Sequence, residues 1–277
     1  MKVVPNQLKI DKLKDLRADC TNCFGLCCVA LPYAKSADFA FDKDGGSPCQ
    51  NLQNDYRCSI HKNLRSNGFK GCTVYECFGA GQKVSQVTYK GRDWRENSVS
   101  AKEMFDVFPI MQQLHEMLCY LHEALSFEEA KPLHNDLLSA FEKTEILTNQ
   151  DPSAILSLDI PDHRAIVNDL LLQTSELVRS KVRNKKQMPK RGSSFIGAKM
   201  RRTNMRGANL RGALLIAAHL SEADLRDCDF IGADMRDTDL SGADLTGSFF
   251  LTQAQVNSAK GDTYTKLPAG LLRPQHW

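Results

Sequence analysis

Between residues 193 and 250 the hydrophobic positions of the chain recur every five residues, in twelve units without an insertion. A period of five matches neither the 3.6 residues of an α-helix nor the 2 residues of a strand. It suits a chain that turns a corner every five residues and closes a coil after twenty, so that residues twenty apart lie above one another. The third position of each unit is large and apolar and the first is small: the large residues are Phe195, Met200, Met205, Leu210, Leu215, Leu220, Leu225, Phe230, Met235, Leu240, Leu245 and Phe250, and the small ones are Ser193, Ala198, Thr203, Ala208, Ala213, Ala218, Ala223, Cys228, Ala233, Thr238, Ala243 and Ser248.

Three such coils, stacked by main-chain hydrogen bonds at about 4.8 Å, would be about 14 Å tall. The small positions, including Cys228, are expected to face inward, where a larger side chain would not fit. Residues 251–277 break the five-residue register. Because an uncovered last coil would expose apolar side chains and unpaired backbone groups, we interpret them as a C-terminal cap and tail, with Trp277 packed against the body.

The units Ala208-Asn209-Leu210, Ala223-Asp224-Leu225 and Ala243-Asp244-Leu245 match the consensus of the pentapeptide repeats, which residues 193–250 resemble. The resemblance implies a right-handed quadrilateral β-helix of about three coils. Some long members of that family imitate duplex DNA and shield topoisomerase with an acidic surface. Here residues 190–216 hold seven Lys or Arg and no acid, whereas residues 220–250 hold eight acids and two Arg. This split favours a scaffold with a rigid docking surface over a topoisomerase-protecting DNA mimic.

The middle of the chain, residues 101–182, is predicted to be helical because its apolar residues recur three and four positions apart. Pro109 and Pro152 suit the first turn of a helix, where the missing N–H is not needed. The strongly basic residues 183–192 are interpreted as a solvated linker. The two apolar stripes consist of Val107, Phe108, Met111, Leu114, Leu118, Leu121 and Leu125, and of Ile166, Leu170, Leu171, Leu177 and Val178.

The composition is that of a globular protein and does not indicate a membrane protein or a nucleic-acid-binding protein. With 277 residues, 42% hydrophobic and 25% charged, the chain is typical of a globular protein of more than one domain. A formal net charge of +3 does not indicate a nucleic acid or a membrane surface as partner. The N-terminal residues lack the apolar core of a signal peptide, and the longest apolar run, residues 213–220, is too short to span a membrane. We therefore expect a cytoplasmic protein.

Eight of the ten cysteines lie within the first 77 residues: Cys20, Cys23, Cys27, Cys28, Cys49, Cys58, Cys72 and Cys77. In a reducing cytosol such clustering favours metal ligands or redox-active thiols over disulfides. Thiolates are soft ligands that favour zinc, iron–sulfur clusters or copper(I). The two sulfurs of a tight turn such as Cys20–Cys23 can reach one ion, and a second chain segment must then supply the other ligands.

The number of ligands leaves several arrangements open. Eight thiols complete two four-thiolate sites, or one iron–sulfur cluster and one zinc site. His61, three residues after Cys58, could replace a sulfur in either arrangement. The adjacent Cys27 and Cys28 point apart in extended backbone, so one is expected to ligate while the other serves a second ion or packs. The spacing differs from the C-x2-C-x2-C-x3-C-P run of bacterial ferredoxins, which weakens the case for a cluster.

Residues 18–80 resemble the zinc- or iron-chelating cysteine-cluster family. The similarity lies in the core Cys20–Cys28, in the Cys-x-x-Leu of Cys49–Leu52 and in the Cys-x-Ile-His of Cys58–His61. That family usually continues with Arg-Pro-x2-Cys, whereas here Ser66 follows Arg65 and the next cysteine is Cys72. The resemblance implies a bound metal, zinc or iron, and leaves the metal's identity and its role open.

The sequence thus predicts a multidomain α + β protein, with boundaries at residues 1–100 (cysteine-rich), 101–182 (helical), 183–192 (linker), 193–250 (repeats) and 251–277 (cap and tail). No phosphate-binding glycine loop, nucleophile elbow or H-E-x-x-H motif occurs in it. The predicted function is a non-catalytic, metal-binding scaffold that docks another protein, a combination typical of bacteria. An iron–sulfur redox or modification enzyme is the alternative. Cys119 is assigned to the core, and the pair His115 and His122 to a helix boundary.

Overall fold

The structure is a computed structural model that describes residues 15–96, 98–182 and 189–277. The described residues form two compact units. The first contains the residues up to Ser126 together with Leu133–Leu170, and the second contains Phe127–Pro132 together with Leu171–Trp277. Most of the predicted basic linker, residues 183–188, lies outside the described residues.

The first unit begins with loops and short helical turns and continues into long helices, so the predicted helical middle is confirmed. The long helix α4 starts before the predicted boundary and contains Pro109 in its interior, so the prediction that Pro109 opens a helix is wrong. Buried Met104, Val107 and Phe108 explain this, because their packing offsets the roughly 3 kcal/mol that an interior proline costs. The helices are α1 Leu26–Val29, α2 Lys70–Thr73, α3 Ala80–Gln82, a π-helix Lys83–Thr88, α4 Ser98–Ala124, α5 His134–Thr148, α6 Pro152–Leu156 and α7 Ile160–Ser180, with 3-10 turns at Cys20–Asn22, His61–Asn63 and Glu128–Leu133.

Two apolar groups hold the loops of the first unit in place. One joins α1 and α3 to α4 through Leu26, Val29, Ala80 and Val84, all fully buried against Met104. The other is an aromatic cluster in the loops, in which the rings of Tyr33 and Phe39 stack at 4.4 Å and those of Phe41 and Phe69 meet edge to face at 5.1 Å. The cysteine-bearing segments are therefore fixed by side-chain packing rather than by long secondary-structure elements.

In the second unit the backbone pairs with itself at a spacing of twenty residues. Parallel bridges join Ser194 to Leu214 and Leu214 to Asp234, and the same spacing recurs in the bridges Lys199–His219, Asn204–Asp224 and Asn209–Asp229. The twenty-residue coil predicted from the five-residue period is therefore present. Each bridge is isolated. The described part of the chain contains no strand longer than a single bridge, because turns follow one another every five residues. The right-handed, quadrilateral form of the helix stays a prediction.

The interior of these coils follows the predicted register. From Met205 onward the large third positions are buried, and Cys228 is 0% exposed, as its small inward position predicts. The first large residues, Phe195 and Met200, are only partly buried. The chain after residue 250 pairs with the last coil at spacings shifted by one and by two residues, Lys260 with Asp239 and Lys266 with Asp244.

The chain end covers this last coil. Helix α8, Gln253–Ser258, starts with a capping box between Thr252 and Gln255. Gln255 also donates to the carbonyl oxygens of Phe230 and Ala233. The Trp277 indole donates to the Ala259 carbonyl at 3.0 Å.

Two segments from the helical part of the chain belong to the second unit. The ring of Phe127 meets that of Phe249 at 5.4 Å, and the buried Arg179 donates to the Gly207 carbonyl at 3.3 Å. They bury one row of outward positions of the coils, and Phe249 is 1% exposed there. None of the helices in the described ranges has the length and the apolar character needed to cross a membrane.

Candidate metal centre

The eight N-terminal cysteines lie in the first unit and divide into two groups of four neighbours. The sulfurs within each group are close enough to interact electrostatically, and Cys28 of one group also interacts with Cys27 and Cys20 of the other. We call them the first thiol set, which consists of Cys20, Cys23, Cys27 and Cys77, and the second thiol set, which consists of Cys28, Cys49, Cys58 and Cys72.

The first thiol set is built around a glycine. Gly81 in α3 lies so close to the sulfurs that a Cβ at its position would be 2.7 Å from Cys23 Sγ and 4.0 Å from Cys77 Sγ. The Ser85 hydroxyl, in the following π-helix, donates to the Gly81 carbonyl at 2.9 Å and accepts the Phe24 N–H at 3.0 Å. Burial raises the pKa of Cys23, and the neighbouring Ser85 hydroxyl acts against this shift. The start of the π-helix therefore fixes the position of this thiol.

The second thiol set is held by backbone contacts between distant loops. The Cys49 N–H donates to the Cys28 carbonyl at 2.9 Å, and Leu52 pairs with Cys58 in an antiparallel bridge. The Tyr33 hydroxyl donates to Cys49 Sγ at 3.2 Å. The fourth member, Cys72, is exposed.

Backbone N–H groups point at half of these sulfurs. One donor lies two residues after each of these cysteines, and Cys23 and Cys77 also accept from Leu26 and Gly81; such N–H groups stabilise and orient a thiolate ligand. Burial raises the pKa of Cys23 and Cys77, and these donors act against it. Each thiol set has two such pairs: Gly25 with Cys23 and Gly79 with Cys77 in the first, and Asn51 with Cys49 and Ile60 with Cys58 in the second.

Cys27 and Cys28 lie side by side in α1, with their sulfurs 3.9 Å apart. The Cys27 thiol donates to Cys28, so the pKa of Cys27 is raised well above its ordinary value and that of Cys28 is lowered. The other sulfurs near Cys27 are those of Cys20 and Cys23. Cys28 interacts electrostatically with Cys58 and Cys72 of the second thiol set, and also with Cys20 of the first.

A buried ammonium group lies beside the second thiol set. Lys43 is 7% exposed, and its Nζ donates to the carbonyl oxygens of Val29, Asp44 and Ser47 at 2.9–3.1 Å. Burial lowers the pKa of Lys43, whereas the nearby sulfurs of Cys49 and Cys28 act in the opposite direction. Its positive charge favours thiolates in this set.

The sulfurs of each set are neighbours without converging on one point. Throughout residues 15–96, 98–182 and 189–277, no three His, Cys, Asp or Glu side chains are arranged closely enough to hold a metal ion. His61, the alternate ligand, is exposed in a 3-10 turn, and its N–H donates to the Cys58 carbonyl at 3.3 Å. The nine candidate ligands therefore stay a prediction.

The two cysteines assigned to packing behave differently from these eight. Cys119 in α4 donates its S–H to the Leu16 carbonyl at 3.8 Å, and Cys228 donates to the Met205 carbonyl at 3.1 Å. Burial raises the pKa of both thiols. The sequence does not predict the roles of Lys43 and Ser85, which lie beside the thiol sets. Neither residue belongs to a motif that would link it to the cysteines.

Comparison with known proteins places the chain in a family. The family model described as Pentapeptide repeats matches residues 191–212 and 208–247, with eight copies. The chain is also 67% identical over 266 residues to the uncharacterized protein YybG of Bacillus subtilis (strain 168), a match that covers 95% of each chain. It belongs to the pentapeptide-repeat proteins. The match to YybG extends well beyond the repeats and includes most of the first unit.

Proposed function

We propose that this protein is a metal-binding scaffold, in which the two thiol sets each hold one metal centre and the repeat coils form a docking surface for another protein. The observation that carries the proposal is the division of eight cysteines into two sets of four, each with two sulfurs that accept backbone N–H groups. Four thiolates per ion is the number that structural zinc and iron–sulfur centres use.

The residues present fit such a group by their donor chemistry. Each thiol set consists of soft ligands only, Gly81 leaves room beside two sulfurs, and Lys43 supplies a positive charge near the second set. Metal binding is coupled to folding, so we expect an ion to draw the four neighbouring sulfurs together. Zinc would cross-link the loops of the first unit; iron, in a cluster such as 4Fe-4S, would add electron transfer.

The scaffold role rests on the second unit. We propose a right-handed quadrilateral β-helix whose outward side chains bind a protein partner, in the cytoplasm, where thiols stay reduced. The neighbouring charges of opposite sign on its surface, such as Arg206 with Asp227 at 2.8 Å, support this over a uniformly acidic DNA mimic. An iron–sulfur redox or modification enzyme remains the second candidate function.

The test is elemental analysis of the full chain purified without oxygen. We expect two metal centres per chain. Cys23→Ser should remove the centre of the first thiol set and Cys49→Ser that of the second, each reducing the metal content by half. Cys119→Ser is the matched control and should retain both centres.

The identity of the metal separates the two candidate functions. Two zinc ions in a colourless protein would support the scaffold, whereas iron with sulfide and visible absorption would support the redox enzyme. A folded protein without bound zinc or iron, or a complete loss of metal in both single variants, would overturn the two-centre proposal.

A further inference from the structure

A cavity of about 510 Å³ lies in the first unit, separate from the sulfurs but sharing a wall with the first thiol set. The 3-10 turn Cys20–Asn22 contributes Asn22 to the cavity and Cys20 to the thiol set, and the π-helix contributes Lys83 and Gln86. A π-helix is rare and is often found at functional sites. The volume is in the range of small-molecule sites.

The apolar part of the cavity wall is formed by Leu16, Leu118 and Phe141. Leu118 is 4% exposed and Phe141 is also 4% exposed, so these side chains are fixed by the core. A ligand that fills this part must carry a hydrocarbon segment.

The charged groups of the wall are predominantly acidic. Among the described residues, the lining includes three carboxylates, those of Asp15, Asp19 and Glu145, and one ammonium group, that of Lys83. Lys83 Nζ donates to Asn149 Oδ1 at 2.6 Å, and Glu145 and Asp15 are its electrostatic neighbours. With one cation against three anions, the cavity favours a positively charged ligand.

A buried histidine adds a hydrogen-bond acceptor. His115 lines the cavity and is 4% exposed. Its Nδ1 lies 2.7 Å from the Phe78 carbonyl, and because a carbonyl oxygen only accepts, Nδ1 carries the proton and Nε2 is the acceptor. Burial lowers the pKa of His115 to about 4, so the ring is neutral near pH 7. A neutral ring with a free lone pair suits an N–H donor.

From this combination we infer that the cavity binds a free aliphatic polyamine, with the hydrocarbon segments against Leu118 and Phe141 and an ammonium group toward Glu145. Ammonium groups are donors only, which matches a wall whose charged groups are mostly acceptors. Such a ligand would contact the wall that also holds Cys20. The inference does not depend on whether metal is bound there.

The test is isothermal titration calorimetry on the full chain with four probes of similar length: spermidine, diaminooctane, octanediol and octanedioate. The two amines should bind, and the neutral diol and the dianion should not. Glu145→Gln should weaken amine binding about tenfold, as expected for one charge-assisted hydrogen bond. The matched control is Glu142→Gln, an exposed residue of the same helix that does not line the cavity, and it should bind as the parent does.

Lys83→Met is an independent test, because removing the one cation that the described residues contribute to the wall should tighten amine binding. The inference is overturned if octanedioate binds and loses its affinity in Lys83→Met, since the cavity would then be an anion site. It is also overturned if none of the four probes binds, or if Glu145→Gln and Glu142→Gln bind amines equally well. Circular dichroism of each variant checks that the fold is kept.

Discussion

Arg211 and Asp229 form an ion pair of 3.0 Å inside the second unit, where their side chains are 2% and 0% exposed. Arg211 follows the large third position of its unit and Asp229 precedes that of a later unit, both outward positions of the coil. Both residues belong to the second unit. The carboxylate also accepts the Ile231 N–H at 3.0 Å.

We expect Asp229→Asn to destabilise the second unit by about 3 kcal/mol, because the Arg211 guanidinium would stay buried without its carboxylate. Asparagine keeps the size and the oxygen that accepts from Ile231. Chemical denaturation followed by circular dichroism measures the effect. A loss of unfolding free energy below about 1 kcal/mol would contradict the prediction and show that water or another group compensates the buried charge of Arg211.

Asp224→Asn is the matched control for this prediction. Asp224 also accepts the N–H two residues later and binds an arginine, Arg226, at 2.6 Å, but these side chains are 23% and 40% exposed. Exposed pairs contribute between about 0 and 1 kcal/mol, so this variant should be nearly as stable as the parent. Equal losses in the two variants would contradict the role of burial.

In the second unit, the sequence predicts the inward residues but not which outward residues are covered. The register of Leu210 and Phe230 follows from the five-residue period, because every inward side chain repeats a local geometry. The burial of Arg211 and Phe249 does not follow from the repeat; Phe249, for example, packs against Phe127, which is distant in sequence. Local periodicity therefore gives the interior of the coils, and only the tertiary structure shows which outward positions are covered.

The first unit is less predictable for the same reason. The sequence identifies the eight thiols as a group, but the expectation that Cys27 and Cys28 point apart in extended backbone is wrong, because both lie in α1 with their sulfurs 3.9 Å apart. Which distant cysteine joins which set depends on loop packing, for example on the bridge between Leu52 and Cys58. The involvement of Lys43 arises from three carbonyl contacts that no motif encodes.

Lys43→Met should destabilise the first unit by about 2 kcal/mol, because three buried carbonyl groups lose a charged donor. Methionine is similar in size, so the effect of packing is small. We also expect the second thiol set to lose metal before the first during titration with a chelator. Thermal denaturation and metal analysis measure both effects. Lys35→Met, at an exposed position, is the control; equal behaviour of the two variants would contradict the prediction.

Gly81→Ala should reduce the metal content by half. The new Cβ would be 2.7 Å from Cys23 Sγ, closer than atoms pack, so the sulfur must move away from the first thiol set. In Gly45→Ala the nearest atoms belong to Ala30 and Pro32, and this control should keep both centres. If Gly81→Ala binds as much metal as the parent with unchanged affinity, Cys23 is not a ligand in this position.

The last prediction concerns pH. Arg202 and Arg201 donate to Glu222 at 2.6 and 3.1 Å, and these bonds, that of Arg202 first, lower the pKa of Glu222 from 4.5 to about 2. A carboxylate with a lowered pKa stabilises the folded state above the pKa of the unfolded chain, and the effect is lost as the pH falls toward the folded value. The contribution should therefore be complete above pH 4.5 and disappear between pH 4.5 and about 2.

The measurement is the difference in melting temperature between the parent and Glu222→Gln as a function of pH. We expect a small positive difference at pH 6, because the three side chains are exposed and water screens their attraction. The difference should shrink toward zero as the pH falls through this window, and high salt should reduce it at pH 6. A difference that stays constant from pH 6 to 2 would mean that packing of the side chain, rather than its charge, links the neighbouring coils here.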